Sequence, residues 1–146
     1  MPATASAVER EIRIDAAPDT VFDFLVESEK MPIWMGRRAE LDPRAGGVMR
    51  IEINDQATAS GEFVEVDRPN KVVFTWGWEG NEFEPPPGTS TVEITLTADG
   101  DSTIVKLVHS DLPEPARDPH AHGWEMYLER LGQAAAGGDP GPDPNA

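Results

Sequence analysis

The chain has 146 residues, no cysteine, and 27 acidic against 12 basic side chains, a formal net charge of −15. That length suits one domain whose core is large enough to enclose a pocket. Without cysteine there is no disulfide framework, thiolate nucleophile or cysteine-based metal centre, and the acidic balance opposes binding to nucleic-acid phosphates or an anionic membrane surface.

No apolar run reaches the ~20 residues that span a bilayer. Residues 1–7 lack the basic and apolar regions of a secretory signal, so they read as a flexible N-terminus on a soluble cytoplasmic protein. Val8, Ile12 and Ile14 then alternate with polar neighbours, a first strand. Pro18 and Asp19 open a short helix whose stripe is Val21, Phe22, Leu25 and Val26. Ser28 is placed to cap a second short helix through Trp34, ended by Gly36.

Strands follow. A weak one is expected at 38–41, and a clear one where Met49, Ile51 and Ile53 alternate with Arg50, Glu52 and Asn54. Over 60–66, Glu62, Val64 and Val66 share a parity that points inward, up to a turn at Arg68-Pro69-Asn70. Val72, Phe74, Trp76 and Trp78 line one face of the next strand, which runs into an acidic, Pro-rich loop over 80–89. Val92, Ile94 and Leu96 form another strand, and Asp99-Gly100 turns it into a last one carrying Val105, Leu107 and His109. Trp124, Tyr127, Leu128 and Leu131 then recur at helical spacing, with Asp118-Pro119 as a cap and first turn. From Gly132 the composition is Gly, Pro and Ala, expected as a disordered tail.

A meander of about six or seven antiparallel strands buries one face, and the long helix needs a partner for its stripe. The two together predict an α+β helix-grip, a curved sheet wrapped around a C-terminal helix, with one domain over 8–131 and a tail over 132–146. A cavity lies between sheet and helix in such an arrangement.

Specific residues carry a likeness. They are Ala17-Pro18-Asp19-Thr20-Val21-Phe22, Ile33-Trp34-Met35-Gly36, Gly61-Glu62-Phe63, and the stretch from Arg68-Pro69-Asn70 to Trp76. Leu107-Val108-His109-Ser110 and the run from Gly123-Trp124 to Leu131 complete the set. In this order and spacing the chain resembles the START-like, pollen-allergen-type helix-grip superfamily known as SRPBCC. Within that superfamily it is similar to the bacterial branch related to the C-terminal domain of the activator of the heat-shock-protein-90 ATPase. The resemblance implies the helix-grip fold but transfers no catalytic residues, since the superfamily includes carriers, cyclases, allergens and cochaperone domains. Pro119 and the Pro-rich loop depart from the pattern and bear on the start of the long helix and on the cavity mouth.

The inward set Trp34, Met49, Ile51, Phe74, Trp76, Trp78, His109, Trp124 and Tyr127 makes either an aromatic-lined pocket or a filled core. Arg37 and Arg38 stand as rim candidates for an anionic group, or as partners of surface acids. His120 and His122, two apart on a helix, face different ways and cannot chelate together, so no metal and no cofactor are expected. His109 reads as a hydrogen-bonded member of a buried network, and Glu62 as solvent-facing if a bulge interrupts its strand.

With no catalytic constellation in the sequence, the expected role is non-enzymatic binding of a small apolar or aromatic molecule. A cochaperone-like protein-interaction domain is the alternative. A cyclase or hydrolase using His109 or Glu62 inside the cavity is the second. Either a monomer or a homodimer is compatible with an exposed edge strand.

Overall fold

The computed structural model describes residues 7–80 and 85–145. Residues 1–6 of the expected flexible N-terminus, and 81–84 of the Pro-rich loop, lie outside the described residues. The elements run β1 (Val8–Ile14), α1 (Pro18–Val26), α2 (Met31–Trp34), β2 (Arg38–Leu41), β3 (Val48–Glu52), β4 (Thr58–Asp67) and β5 (Lys71–Trp78). They continue as β6 (Ser90–Asp99), β7 (Ser102–Ser110) and α3 (Glu114–Ala135).

The strands form one seven-stranded antiparallel sheet in the order β1-β7-β6-β5-β4-β3-β2. The chain thus starts at one edge, crosses through α1 and α2 to the other, and meanders back. Period-two alternation puts Met49, Ile51, Val72, Phe74, Ile94 and Leu107 on the buried face, all nearly inaccessible to solvent. Each such side chain contributes roughly 1.5–3 kcal/mol by leaving water. The stripe of α3, with Trp124, Leu128 and Leu131, closes over the core they build. The result is the expected helix-grip.

Local chemistry explains most boundaries. Pro18 occupies the first helical turn of α1, where a missing N–H is harmless, and Asp19 sits at its positive end. Gly36 ends α2 at φ +72, and a Cβ there would lie 2.8 Å from the Glu52 carbonyl oxygen. Gly77 lets the Pro-rich loop lie flat on β5, because a Cβ would come within 2.1 Å of the Pro86 carbonyl oxygen. No helix among the described residues is long and apolar enough to cross a membrane.

Four local expectations are corrected. Ser28 does not cap α2, whose N-cap is Lys30. Its hydroxyl instead accepts the Leu41 N–H at 2.9 Å and ties the loop to β2. In β4 the register shifts between Phe63 and Glu65, so Phe63 is buried while Glu62 and Val64 face solvent. The inward parity expected for Val64 fails because one bulged residue reverses it.

The long helix starts at Glu114 rather than at Asp118-Pro119. Pro115 serves its first turn, and Pro119 lies inside the helix at a position that sacrifices one backbone bond. Of the tail expected over 132–146, the described residues 132–145 lie against the domain. The helix continues to Ala135 with Ala134 and Ala135 buried, and the segment after it folds back. Arg130 holds that segment, donating to the carbonyls of Pro140, Gly141 and Pro142 as well as to Trp34. Composition missed this because the segment is held by polar contacts to a buried arginine, not by apolar burial of its own.

Candidate functional site

Between α3 and the β5 end of the sheet lies a cavity of about 590 Å³, within the size range of small-molecule sites. Strand β5 supplies Trp76 and Trp78 from one face. Helix α3 supplies Ala116, His120, Gly123, Trp124 and Tyr127, which recur at helical spacing on one side. The loop after β3 adds Ile53, Asn54 and Ala57, Met35 follows α2, and Asn145 comes from the folded-back C-terminal segment. Among the described residues, no Asp, Glu, Lys or Arg lines it. Such a wall favours an uncharged guest, because a buried charge without a partner is costly.

The aromatic rings are arranged edge to face. Trp76 stands 5.5 Å from Trp78, 5.2 Å from Trp124 and 6.0 Å from His109, measured between ring centroids. His109 and His120 are themselves 5.3 Å apart.

Hydrogen bonding fixes the state of both rings. The Trp124 indole N–H donates to His109 Nδ1 at 3.0 Å, so that nitrogen carries a lone pair. The proton is then on Nε2, which lies 2.8 Å from the Ser90 hydroxyl. The Ser90 hydroxyl in turn donates a hydrogen bond to the Trp76 carbonyl at 2.6 Å. In the same way the Trp78 N–H donates to His120 Nε2 at 3.0 Å, while His120 Nδ1 donates to the Ala116 carbonyl at 2.8 Å. Burial, helped by the neighbouring His120, pushes the His109 pKa down to about 3. Burial also lowers that of His120, against the opposing pull of the Ala116 carbonyl. Both imidazoles are neutral at pH 7, with every ring nitrogen engaged inside the protein. Neither offers a lone pair to a metal or to a substrate proton.

The other end of the cavity is built differently. Tyr127 donates to Asp143 Oδ2 at 2.7 Å, and the Gly36 N–H reaches the same oxygen at 2.7 Å. Asn145 donates to the Tyr127 hydroxyl at 3.2 Å, and its carbonyl accepts from Asn54 at 2.8 Å. Burial is the main reason the Tyr127 pKa is raised, so the phenol keeps its proton.

Of the residues singled out in the sequence, Trp76, Trp78, Trp124 and Tyr127 line this cavity. Trp34, Ile51 and Phe74 line a much smaller neighbouring void of about 10 Å³, which Trp76 and Trp124 also border. Met49 is core, and His109 is fully buried outside both linings. Arg37 pairs with Glu52 and Asp55, while Arg38 is exposed and reaches Glu52 only at 4.0 Å. Neither arginine lines the cavity. Glu62 is exposed and lines neither of these two voids. Sequence reasoning passed over His120, Asn54 and Asn145 as lining residues. The helical spacing from Trp124 back to His120 is the one signal that was available.

A family model described as Activator of Hsp90 ATPase homolog 1-like protein matches residues 15–136. Among solved structures, the AHSA1-like protein from Rhizobium etli is 40% identical, with a TM-score of 0.74, covering 96% of this chain and 88% of that one. CalU16 from Micromonospora echinospora is 27% identical with a TM-score of 0.72, covering 90% of this chain and 76% of that one. The Aha1 dimer from Colwellia psychrerythraea, 19% identical with a TM-score of 0.77 over 90% of this chain and 97% of that one, shares the fold. No curated protein gives a significant match. With a family model matched over most of its length and the helix-grip architecture in place, the chain belongs to the Activator of Hsp90 ATPase homolog 1-like family of the SRPBCC superfamily.

Proposed function

We propose that this protein binds a small, uncharged, apolar or aromatic molecule between α3 and β5, without transforming it. The observation that carries the reading is the wall itself: indole and apolar surface, no charged side chain among the described lining residues, and a histidine whose two nitrogens are already bonded. Among the described lining residues, none is a free general acid or base of the kind a reaction would need. His109 is buried behind the wall with both nitrogens engaged, and Glu62 faces water.

Native mass spectrometry of freshly purified protein, followed by titration with naphthalene, tests this reading. The expected result is a copurified mass lost on denaturation, or a one-to-one naphthalene complex that quenches tryptophan fluorescence. Neither signal, up to the solubility of the probe, would sink it. The family description favours a second reading, a chaperone-binding domain. An unchanged heat-shock-protein-90 ATPase rate together with no co-elution would remove that one.

A further inference from the structure

Asp143 is the only buried carboxylate among the described residues, and within 136–145 it is the only buried residue of any kind. A carboxylate taken out of water is costly unless hydrogen bonds surround it. Three donors do so here. The Tyr127 hydroxyl and the Gly36 N–H both reach Oδ2 at 2.7 Å, and the Asn145 N–H reaches Oδ1 at 2.7 Å.

Those donors belong to the wall of the cavity or adjoin it. Tyr127 and Asn145 line it, and Gly36 follows directly on Met35, which lines it as well. Asn145 extends the tie, accepting from the lining residue Asn54 through its carbonyl and donating to the Tyr127 hydroxyl through its amide. Asp143 lies outside the lining, yet it connects wall segments from the end of α2, the loop after β3, the middle of α3 and the C-terminal strap. Arg130 sets the path of the strap through the carbonyls of residues 140–142, and Asp143 sets where its end meets the wall.

A strap held by hydrogen bonds, with so little of its own surface buried, is released locally and at far lower cost than the domain unfolds. Release removes Asn145 from the wall and unties Tyr127 from Asn54. A molecule touching this end of the cavity then has a different affinity for the docked and released arrangements, which is the condition for shifting one toward the other.

We propose that Asp143 is a positioning residue of the pocket: it docks the strap as part of the wall, so that ligand binding and strap docking strengthen each other. This rests on the pocket being a ligand site, as argued above, and adds which group holds its wall together. The coupling is reciprocal, so whatever factor release costs in affinity, a saturating ligand returns as protection of the docked strap.

The test titrates naphthalene into the full chain labelled with nitrogen-15 and follows amide exchange by NMR. Saturating naphthalene should slow exchange of the Gly36 amide, whose partner is Asp143, by about tenfold. The buried Gly47 amide, bonded to the Arg44 carbonyl in the turn before β3 and outside the lining, should be unaffected. Asp143→Ala should bind naphthalene about tenfold more weakly. Asp143→Asn, which keeps an oxygen for Tyr127 and Gly36, should recover most of that loss. Should the alanine variant fail to fold, Gly36 exchange in the wild type still decides. Naphthalene binding that leaves Gly36 exchange unchanged would overturn the proposal and leave the pocket reading intact, even if Asp143→Ala bound weakly, since Asp143 would then serve only the fold. Absence of naphthalene binding by the wild type would overturn both.

Discussion

The two ends of the cavity solve the same problem with different materials. At the β5–β7 end, Trp124, His109 and Ser90 are joined to the Trp76 carbonyl, and His120 joins Trp78 to Ala116. All of those groups are neutral, and most stand on strands or on α3. At the other end, Arg130 and Asp143 hold a short C-terminal segment against Tyr127, Trp34 and Gly36. Charged hydrogen bonds there do what secondary structure does at the first end. A neutral network on rigid elements is vulnerable to one added proton, whereas a strap held by an arginine is vulnerable to loss of that one side chain.

Acid is the sharpest way to separate the two ends. Because the His109 pKa is depressed from 6.5 to about 3 in the folded state, the unfolded chain takes up a proton that the folded chain refuses. Its share of stability is full above pH 6.5 and is lost as the pH falls toward 3, by roughly 5 kcal/mol across the window. A protonated ring would also turn Nδ1 into a donor facing the Trp124 N–H. Urea unfolding at pH 7 and pH 4 should show a steeper loss for the wild type than for His109→Gln. Parallel pH dependence in the two proteins would remove His109 as the sensor.

Next in size is Arg130→Met, which keeps the aliphatic stem but removes every donor to the strap and to Trp34. A loss of about 2–4 kcal/mol is expected, with faster amide exchange at Gly141 and Asn145, whose N–H groups are now bonded to Asp139 and Asp143. Unchanged exchange at those two amides would mean that the strap is held some other way. The smallest effect belongs to Glu62→Gln. Outside both ends and exposed on a bulged strand, it should alter stability by less than about 0.5 kcal/mol and leave probe binding unchanged. A larger change in either would place Glu62 in a role its position does not suggest.

How far each region could be read in advance follows from the range of the forces involved. The inward parity of Val72, Phe74, Trp76 and Trp78, and the stripe of Trp124, Tyr127, Leu128 and Leu131, are local patterns that carried over into β5 and α3. The bulge in β4 broke the same logic at Val64, because one extra residue is invisible to a period of two. The start of α3 was hidden by Pro119, which reads as a boundary but is tolerated inside the helix.

The C-terminal strap defeated composition altogether. Asp143 bonds to Gly36 across 107 residues, and nothing near either one announces the other. The sequence by itself determined the order of elements, the buried sheet face and the apolar side of the last helix, since each depends on side-chain periodicity over a few residues. Tertiary structure alone decided which indoles found acceptors and which did not, and that the final residues would wall a cavity. Hydrogen-bond matching joins groups brought together by packing, and a linear pattern holds no record of it.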